Sequence, residues 1–150
     1  MAALRYAHMA VDLPDGWEGR GFSRREEVTG EHTYAVLHLA NFALPARVED
    51  YGGGAVETMR RGDAFASLLE FGPESAGTAL FAAQGLPTLT RDSFEPNLLQ
   101  RGIPGQSGAQ EFFTLDGRPY CLYVVLGEHL LRFRLAPILN RVLRGIRFAS

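Results

Sequence analysis

The sequence feature that most constrains the fold is a β-hairpin pattern in the last third of the chain. Two apolar segments, Ala109–Leu115 and Arg118–Leu126, flank the dipeptide Asp116-Gly117. A two-residue turn between antiparallel strands requires positive φ angles at both central positions, and Asp-Gly is one of the pairs that adopt them readily. The pattern therefore predicts two neighbouring antiparallel strands joined by a tight turn.

The two ends of the chain carry further strand signals. Met9–Leu13 alternates apolar and polar residues and stops at the turn Pro14-Asp15-Gly16. Near the other end, Pro137 suits the first turn of a helix with one apolar face, Gly145 stops that helix and Ile146–Phe148 forms a last strand. We expect the first and the last of these strands to meet in the fold.

The rest of the chain reads as short strands and short helices, and residues 1–8 are expected to be frayed. Tyr34–Phe42 is apolar on both faces, which indicates a strand covered on both sides. The pattern favours strands at Glu18–Gly30, Tyr34–Phe42, Ala64–Phe71 and Phe94–Ile103, and helices at Ala55–Arg61 and Gly77–Gln84.

The length of 150 residues, with 46% hydrophobic and 21% charged residues, is typical of one globular domain. We therefore expect residues 1–150 to form a single α+β domain. The predicted architecture is a sandwich, with a mostly antiparallel, twisted sheet of about six strands and helices packed on it.

Charge and composition exclude several classes of partner. The net charge of −2 argues against a nucleic-acid binder, which needs an excess of basic residues. All 15 basic residues are Arg, which is typical of a GC-rich genome and does not by itself indicate anion binding. No apolar stretch approaches the length of a membrane span, and the start of the chain does not resemble a secretory signal. We expect a cytoplasmic location.

Strong signals of catalysis or metal binding are missing from the sequence. Cys121, the single cysteine, and His38 both lie in predicted buried strands, where a core thiol and a core histidine are the expected roles. The four histidines are scattered, without the spacing that metal sites prefer. We therefore predict no catalytic residues, no metal and no cofactor.

One weak ligand site is predicted around Glu70, which interrupts an apolar strand near its end. Either Arg101 or Arg118 is placed to face this carboxylate. The competing interpretation is a structural ion pair, or the exposed face of an edge strand. The residues predicted to line such a cleft are Glu70, Glu74, Arg101, Gln106 and Gln110.

An interface is predicted at the adjacent residues Phe112 and Phe113. Neighbouring residues in a strand point to opposite faces, so one phenylalanine lies on the open side if the helices cover only one face of the sheet. An exposed aromatic residue there favours a partner or dimer contact. Burial of both rings in a sheet covered on two sides is the alternative.

The two ends of the chain also resemble a known family. The opening motif Leu13–Trp17 and the closing motif Ile138–Phe148 are similar to those of the PsbP/Mog1-like domain. That group includes the extrinsic photosystem II protein, a Ran-binding nuclear protein and small bacterial envelope lipoproteins. The resemblance implies an α/β/α sandwich around an antiparallel sheet, and binding or assembly rather than catalysis. Unlike the envelope members, this sequence shows no signal or lipid-attachment Cys near its start. It is also similar to short uncharacterised proteins of high-GC Gram-positive bacteria.

Two functions follow as expectations. The first is a non-catalytic binding or assembly module that acts through a protein partner or through self-association. The alternative is a small-molecule binding protein or enzyme, with a cleft near Glu70 and Arg101.

Overall fold

The computed structural model describes residues 2–26 and 30–149, which form two antiparallel sheets and one α-helix. One sheet has three strands in the order β1-β2-β8, and the other has five in the order β3-β4-β5-β7-β6. The elements are β1 (Ala2–Tyr6), β2 (Met9–Leu13), β3 (Glu18–Arg25), β4 (Thr33–Ala40), β5 (Ala64–Glu70), β6 (Ser107–Leu115), β7 (Arg118–Leu126), α1 (Arg132–Arg144) and β8 (Ile146–Phe148).

The predicted α+β class and the antiparallel character of the sheets are therefore confirmed. The described residues contain eight strands in two sheets, where the sequence predicted about six strands in one sheet. They contain one α-helix, where several helices were expected. The expected edge strand Glu18–Gly30 ends at Arg25, and the part of it at 27–29 lies outside the described residues.

The hairpin and the meeting of the chain ends are both present. Asp116 and Gly117 have φ angles of 51° and 78°, as the tight turn requires. Leu115 faces Arg118 directly across that turn. In the other sheet, β2 pairs with β8 through Met9 opposite Phe148.

Strand β7 shows why the five-stranded sheet is buried on both faces. Successive side chains of a strand point to opposite faces. Tyr120, Leu122, Val124 and Leu126 face the three-stranded sheet and α1 in one hydrophobic cluster. Cys121, Tyr123 and Val125 belong to a second cluster on the other face. That second face is covered by loops rather than by helices, with Leu44, Ala55 and Val56 packed on it.

Two glycines in β3 allow the two sheets to approach closely. A Cβ atom on Gly21 would overlap the Tyr6 ring of β1, and one on Gly19 would lie 2.7 Å from the Leu4 side chain. The smallest side chain is therefore required where β1 crosses β3.

Helix α1 begins at Arg132, five residues before the predicted start at Pro137. Buried Leu135 and Leu139 lie on its inner side. Their spacing of four residues extends the apolar face upstream of the proline. Pro137 itself is exposed and lies inside the helix. Pro137 has no N–H and therefore cannot donate a hydrogen bond to the Phe133 carbonyl. Because Phe133 is exposed, water can donate to this carbonyl instead.

Four local predictions were wrong. Residues 2–6 of the segment expected to be frayed form β1. The two expected short helices are replaced by 3₁₀ turns. The first is replaced by Val56–Thr58, and the second by Pro73–Gly77 and Ala79–Phe81. The segment 94–103 is not a strand but contains a 3₁₀ turn at Pro96–Leu98. Isolated helices of this length are marginal in water, and Pro96 has no N–H for a strand ladder.

Candidate functional site

A cavity of about 510 Å³ lies on the loop-covered face of the five-stranded sheet. Tyr123 and Val125 of β7 form its floor, because the odd-numbered residues of this strand face away from α1. Two loops form its walls, one from 49 to 56 and one from 99 to 106. The volume lies within the range of small-molecule sites, roughly 300–1,000 Å³.

Three contacts hold the walls of the cavity together. The backbone N–H of Gln100 donates to the Tyr123 hydroxyl at 2.7 Å. Arg101 Nη1 donates to Glu57 Oε2 at 2.8 Å, and Gln106 Nε2 donates to the Val56 carbonyl at 2.8 Å. These contacts join each wall to the floor or to the opposite wall, so the cavity is largely formed before anything enters it.

Gln106 is the most unusual polar group in this cavity. Gln106 is one of the residues that line the cavity, yet it is only 4% exposed. Its Oε1 atom is buried and accepts no hydrogen bond from the described residues. A buried acceptor without a donor costs free energy in the folded state.

His38 supports the floor of the cavity from β4. Its Nε2 donates to the Asp50 carbonyl at 3.1 Å, and the ring packs edge-on against Phe22 and Phe65. Burial lowers the pKa of His38 to about 4. The hydrogen bond to Asp50 works in the opposite direction, and the charge of Arg20 lowers the pKa further. The imidazole is therefore neutral at neutral pH.

We expect the free energy of unfolding to fall as the pH drops from about 6.5 towards 4, because only the unfolded chain then protonates His38. Between pH 7 and pH 5 this residue should account for a loss of about 2 kcal/mol. Urea unfolding at both pH values, for the wild type and for H38Q, measures this contribution. An equal loss in both proteins would show that His38 is not the group responsible.

The residues predicted to form one cleft are divided between the two faces of the sheet. Glu70 is two residues after Leu68 in β5, so both side chains lie on the same face of the sheet. That face points towards the three-stranded sheet. Arg118 Nη1 donates to Glu70 Oε2 at 3.0 Å, and His8 Nε2 lies 3.9 Å from Glu70 Oε1. Arg101 belongs to the cavity on the opposite face. Glu70 and Arg101 therefore do not share a cleft.

The Glu70 cluster links the two sheets. His8, in the turn between β1 and β2, is hydrogen bonded to the Tyr120 hydroxyl at 2.7 Å. Burial lowers the pKa of His8, against an opposing effect of the Glu70 charge, and burial raises the pKa of Tyr120. Of the two arginines considered at the sequence level, the structure pairs Glu70 with Arg118. The arrangement is that of a structural ion pair, which was the competing interpretation.

The remaining predicted residues lie in three places. Gln106 and Arg101 line the same cavity, and their role in ligand binding stays a prediction. Gln110 Nε2 contacts Cys121 Sγ at 3.6 Å on the same face of the sheet. Glu74 lies in the 3₁₀ turn after β5, beside a surface depression that includes Tyr34.

Phe112 and Phe113 point to opposite faces, as expected. Phe113 is buried and stacks on Tyr120, with 5.4 Å between ring centroids. Phe112 is half-buried and packs edge-on against Phe81, also at 5.4 Å. The structure corresponds to the alternative in which both faces are covered, so neither ring forms an open aromatic surface.

A different surface exposes large apolar side chains. Leu130, in the 3₁₀ turn His129–Leu131 just before α1, and Phe133, in the first turn of α1, are each 63% exposed. The outer side of the helix continues with exposed arginines, and α1 contains no acidic residue. We name this surface the helix face, and it consists of Leu130, Phe133, Arg134, Pro137, Arg141 and Arg144.

Both surfaces contain residues that the sequence reasoning missed. Glu49, Tyr51 and Tyr123 line the cavity, and no pattern in the sequence marks them. A signal for the helix face was available, since residues 132–144 combine four arginines with an exposed aromatic residue and no carboxylate.

The described residues contain no group of three or more His, Cys, Asp or Glu side chains suited to hold a metal ion. Burial raises the pKa of Cys121 to about 11, with a small opposing effect of the Gln110 hydrogen bond. This thiol is therefore protonated at neutral pH and a poor nucleophile. Within residues 2–26 and 30–149, no helix combines the length and the apolar character needed to cross a membrane.

Comparison with known proteins gives little further information. No protein-family model matches the chain, and no curated protein matches it. A chain in the structure of the Pseudomonas aeruginosa MucA/MucB complex is similar at 17% identity, over 98% of this chain and 37% of that chain, with a TM-score of 0.42. This chain thus spans little more than a third of that neighbour's length. At this TM-score the similarity supports no conclusion about function.

Proposed function

We propose that this chain is a non-catalytic binding or assembly module, and that the helix face is the surface that contacts its protein partner. The observation that carries the proposal is the exposure of two large apolar side chains three residues apart, Leu130 in the 3₁₀ turn before α1 and Phe133 in the first turn of α1. Aromatic anchors surrounded by polar groups are typical of the centres of protein interfaces.

The charges of the helix face indicate the chemistry of the partner. Arg134, Arg141 and Arg144 form no ion pair with a carboxylate among the residues that the structure describes. An acidic partner segment with an apolar side chain would place carboxylates on these arginines and bury Phe133. Complementary charge of this kind raises association rates and fixes orientation.

The resemblance to the PsbP/Mog1-like domain is part of the same proposal. It rests on Leu13–Trp17 and Ile138–Phe148, and it implies binding or assembly rather than catalysis. Strand β2, which ends at Leu13 where the opening motif begins, pairs with β8 of the closing motif, and Val11 lies opposite Ile146. Membership of this family and a cytoplasmic location are further parts of the proposal.

The proposal is tested by selecting peptides from a random library on the immobilised protein and measuring their binding to variants. Selected peptides should combine acidic residues with an aromatic or aliphatic residue. F133D should weaken their binding by about 30-fold, the effect of losing an interface anchor. Phe133 is exposed, so this substitution should leave the free energy of unfolding nearly unchanged.

L80D is the matched control, since Leu80 is 59% exposed and lies in the 3₁₀ turn at Ala79–Phe81 rather than on the helix face. It should bind the peptides like the wild type. Equal losses in F133D and L80D, or peptides without acidic residues, would contradict the proposal. Light scattering measures the oligomeric state of the wild type and of F133D. If the wild type is a dimer and F133D is a monomer, the helix face binds a second copy of the chain instead of an acidic partner.

A further inference from the structure

We propose that a second cavity, between strand β3 and the loop 46–54, binds a small organic acid in which one carboxylate is attached to an apolar body. This cavity has a volume of about 530 Å³, which lies within the range of small-molecule sites. Arg20 and Phe22 of β3 line it together with residues of the loop. The inference is independent of the proposed function, because this cavity and the helix face share no residue.

Strand β3 brings a cation and an aromatic ring to the same side of the sheet. Phe22 packs in the hydrophobic cluster on the loop-covered face. Arg20 precedes it by two residues in the same strand, so its side chain lies on that face as well. The cavity therefore combines a guanidinium and an apolar surface on one rigid element.

The Arg20 guanidinium is held in place and still has free donors. Its Nη1 donates to the Pro45 carbonyl at 2.7 Å and to the Ala46 carbonyl at 3.4 Å. Its Nε and Nη2 donate to no group in residues 2–26 and 30–149. Neither atom is among the buried polar atoms that lack a partner there, so both are accessible. A guanidinium with free N–H groups on two nitrogens can donate two parallel hydrogen bonds to a carboxylate.

The charges of the cavity favour a monoanion. Neither Arg20 nor the exposed Arg47 forms an ion pair with a carboxylate among the described residues. The charge of Arg20 also lowers the pKa of His38. Glu49 is the single acidic residue of the lining, and it lies 3.9 Å from Arg101 of the first cavity. Two arginines and one glutamate give the lining a net charge of +1. One carboxylate neutralises this charge, whereas a dianion exceeds it and is repelled more strongly by Glu49.

The apolar part of the lining favours an organic acid over a small inorganic anion. Phe22 and Val48 are half-buried, and both line the cavity at the edge of the hydrophobic cluster. A ring or a branched chain that covers them removes apolar surface from water, which adds to the affinity. A carboxylate without such a body gains the charge interaction alone.

The test uses four probes that share parts of one structure. These are 3-phenylpropanoate, the neutral 3-phenylpropan-1-ol, the dianion benzylmalonate, and acetate, which lacks the ring. The rise in melting temperature and the ¹⁵N chemical-shift changes are measured for each probe at millimolar concentrations. We expect 3-phenylpropanoate to bind most tightly. Its shift changes should be confined to β3, the loop 46–54 and the Nε–H signal of Arg20.

Two substitutions at the rim should change the affinity for 3-phenylpropanoate in opposite directions. R47Q should weaken binding by about fivefold, the equivalent of one exposed ion pair. E49Q should strengthen binding by about twofold, because it removes a repulsive charge. Arg47 and Glu49 are exposed, so both variants should fold like the wild type. R60Q is the matched control, since Arg60 is exposed and lies outside the cavity.

Equal binding of 3-phenylpropanoate and the alcohol would overturn the inference, as would tighter binding of acetate or benzylmalonate. Equal losses in R47Q and R60Q would show that the net charge of the protein, rather than this cavity, attracts the anion. Absence of saturable shift changes in β3 and the loop 46–54 would overturn the inference too. None of these outcomes bears on the peptide test of the helix face.

Discussion

Replacement of Gly127 by alanine is expected to destabilise the protein by about 3 kcal/mol, because the new methyl group meets backbone on a packed surface. A Cβ at this position would overlap the Arg60 carbonyl oxygen and lie 3.4 Å from that of Arg61. The Gly127 N–H also donates to the Asp63 carbonyl at 2.9 Å, so the two segments cannot separate without losing a hydrogen bond. Neither obstacle is a side chain that can rotate away.

The measurement is chemical denaturation of G127A beside the matched control G77A. A Cβ on Gly77 would meet no atom within 4 Å, and its φ angle is not positive. G77A should therefore unfold like the wild type. G127A should melt about 10 °C lower, given the entropy of unfolding of a domain of this size. Two variants of equal stability would show that the segment 60–63 does not pack on the end of β7.

Replacement of Asn140 by alanine is expected to have the second large effect. The free energy of unfolding should fall by about 3 kcal/mol. Asn140 Nδ2 donates to the Leu89 carbonyl at 2.7 Å, and its Oδ1 accepts from the Leu89 N–H at 2.8 Å. The side chain thus pairs with both backbone groups of one residue. Leu89 is buried, so removal of the amide leaves a donor and an acceptor that water does not easily reach.

The control for this prediction is N97A, since Asn97 is exposed and lies in a 3₁₀ turn. Hydrogen exchange separates a specific effect from general destabilisation. In N140A the Leu89 amide should lose protection under conditions where the β7 amides keep theirs. If Leu89 stays as protected as in the wild type, the Asn140 side chain does not anchor the segment 86–90 to α1.

Sequence reasoning succeeded where neighbouring residues determine the structure. The hairpin was predicted because Asp116-Gly117 specifies a turn by itself, whatever the rest of the chain does. The predicted contact between the first and last strands depended on their apolar patterns rather than on a turn. It is confirmed by the β2–β8 pairing.

Prediction from the sequence failed where contacts with residues distant in the chain determine the conformation. The segments 55–61 and 77–84 contain residues suited to helices, but each is too short to hold a helix without a packed apolar face. For the same reason the start of α1 was misplaced. Leu135, upstream of Pro137, is buried in the same hydrophobic cluster as the sheet residues, so the packed face of the helix extends beyond the proline.

The grouping of the candidate site residues can be compared with the fold, whereas ligand binding by them stays a prediction. Arg101 and Gln106 were placed in one site, and both line the cavity. Glu70 was added to them wrongly, because the alternation of β5 turns its side chain to the other face of the sheet. Apart from Tyr123 and Val125 of β7, the other lining residues come from loops whose proximity depends on the tertiary fold, so their sequence alone carries no sign of it.

The pairing of β2 with β8 also has a consequence for the order in which the strands are expected to form. Met9 and Phe148 are separated by nearly the whole chain, whereas β6 and β7 are joined by two residues. Contacts so distant in sequence form late, because a large loop must close before they are made. We expect the β6–β7 hairpin to form early and the three-stranded sheet to close last. During synthesis, the apolar residues of β2 therefore stay unpaired on one edge until Ile146–Phe148 has left the ribosome.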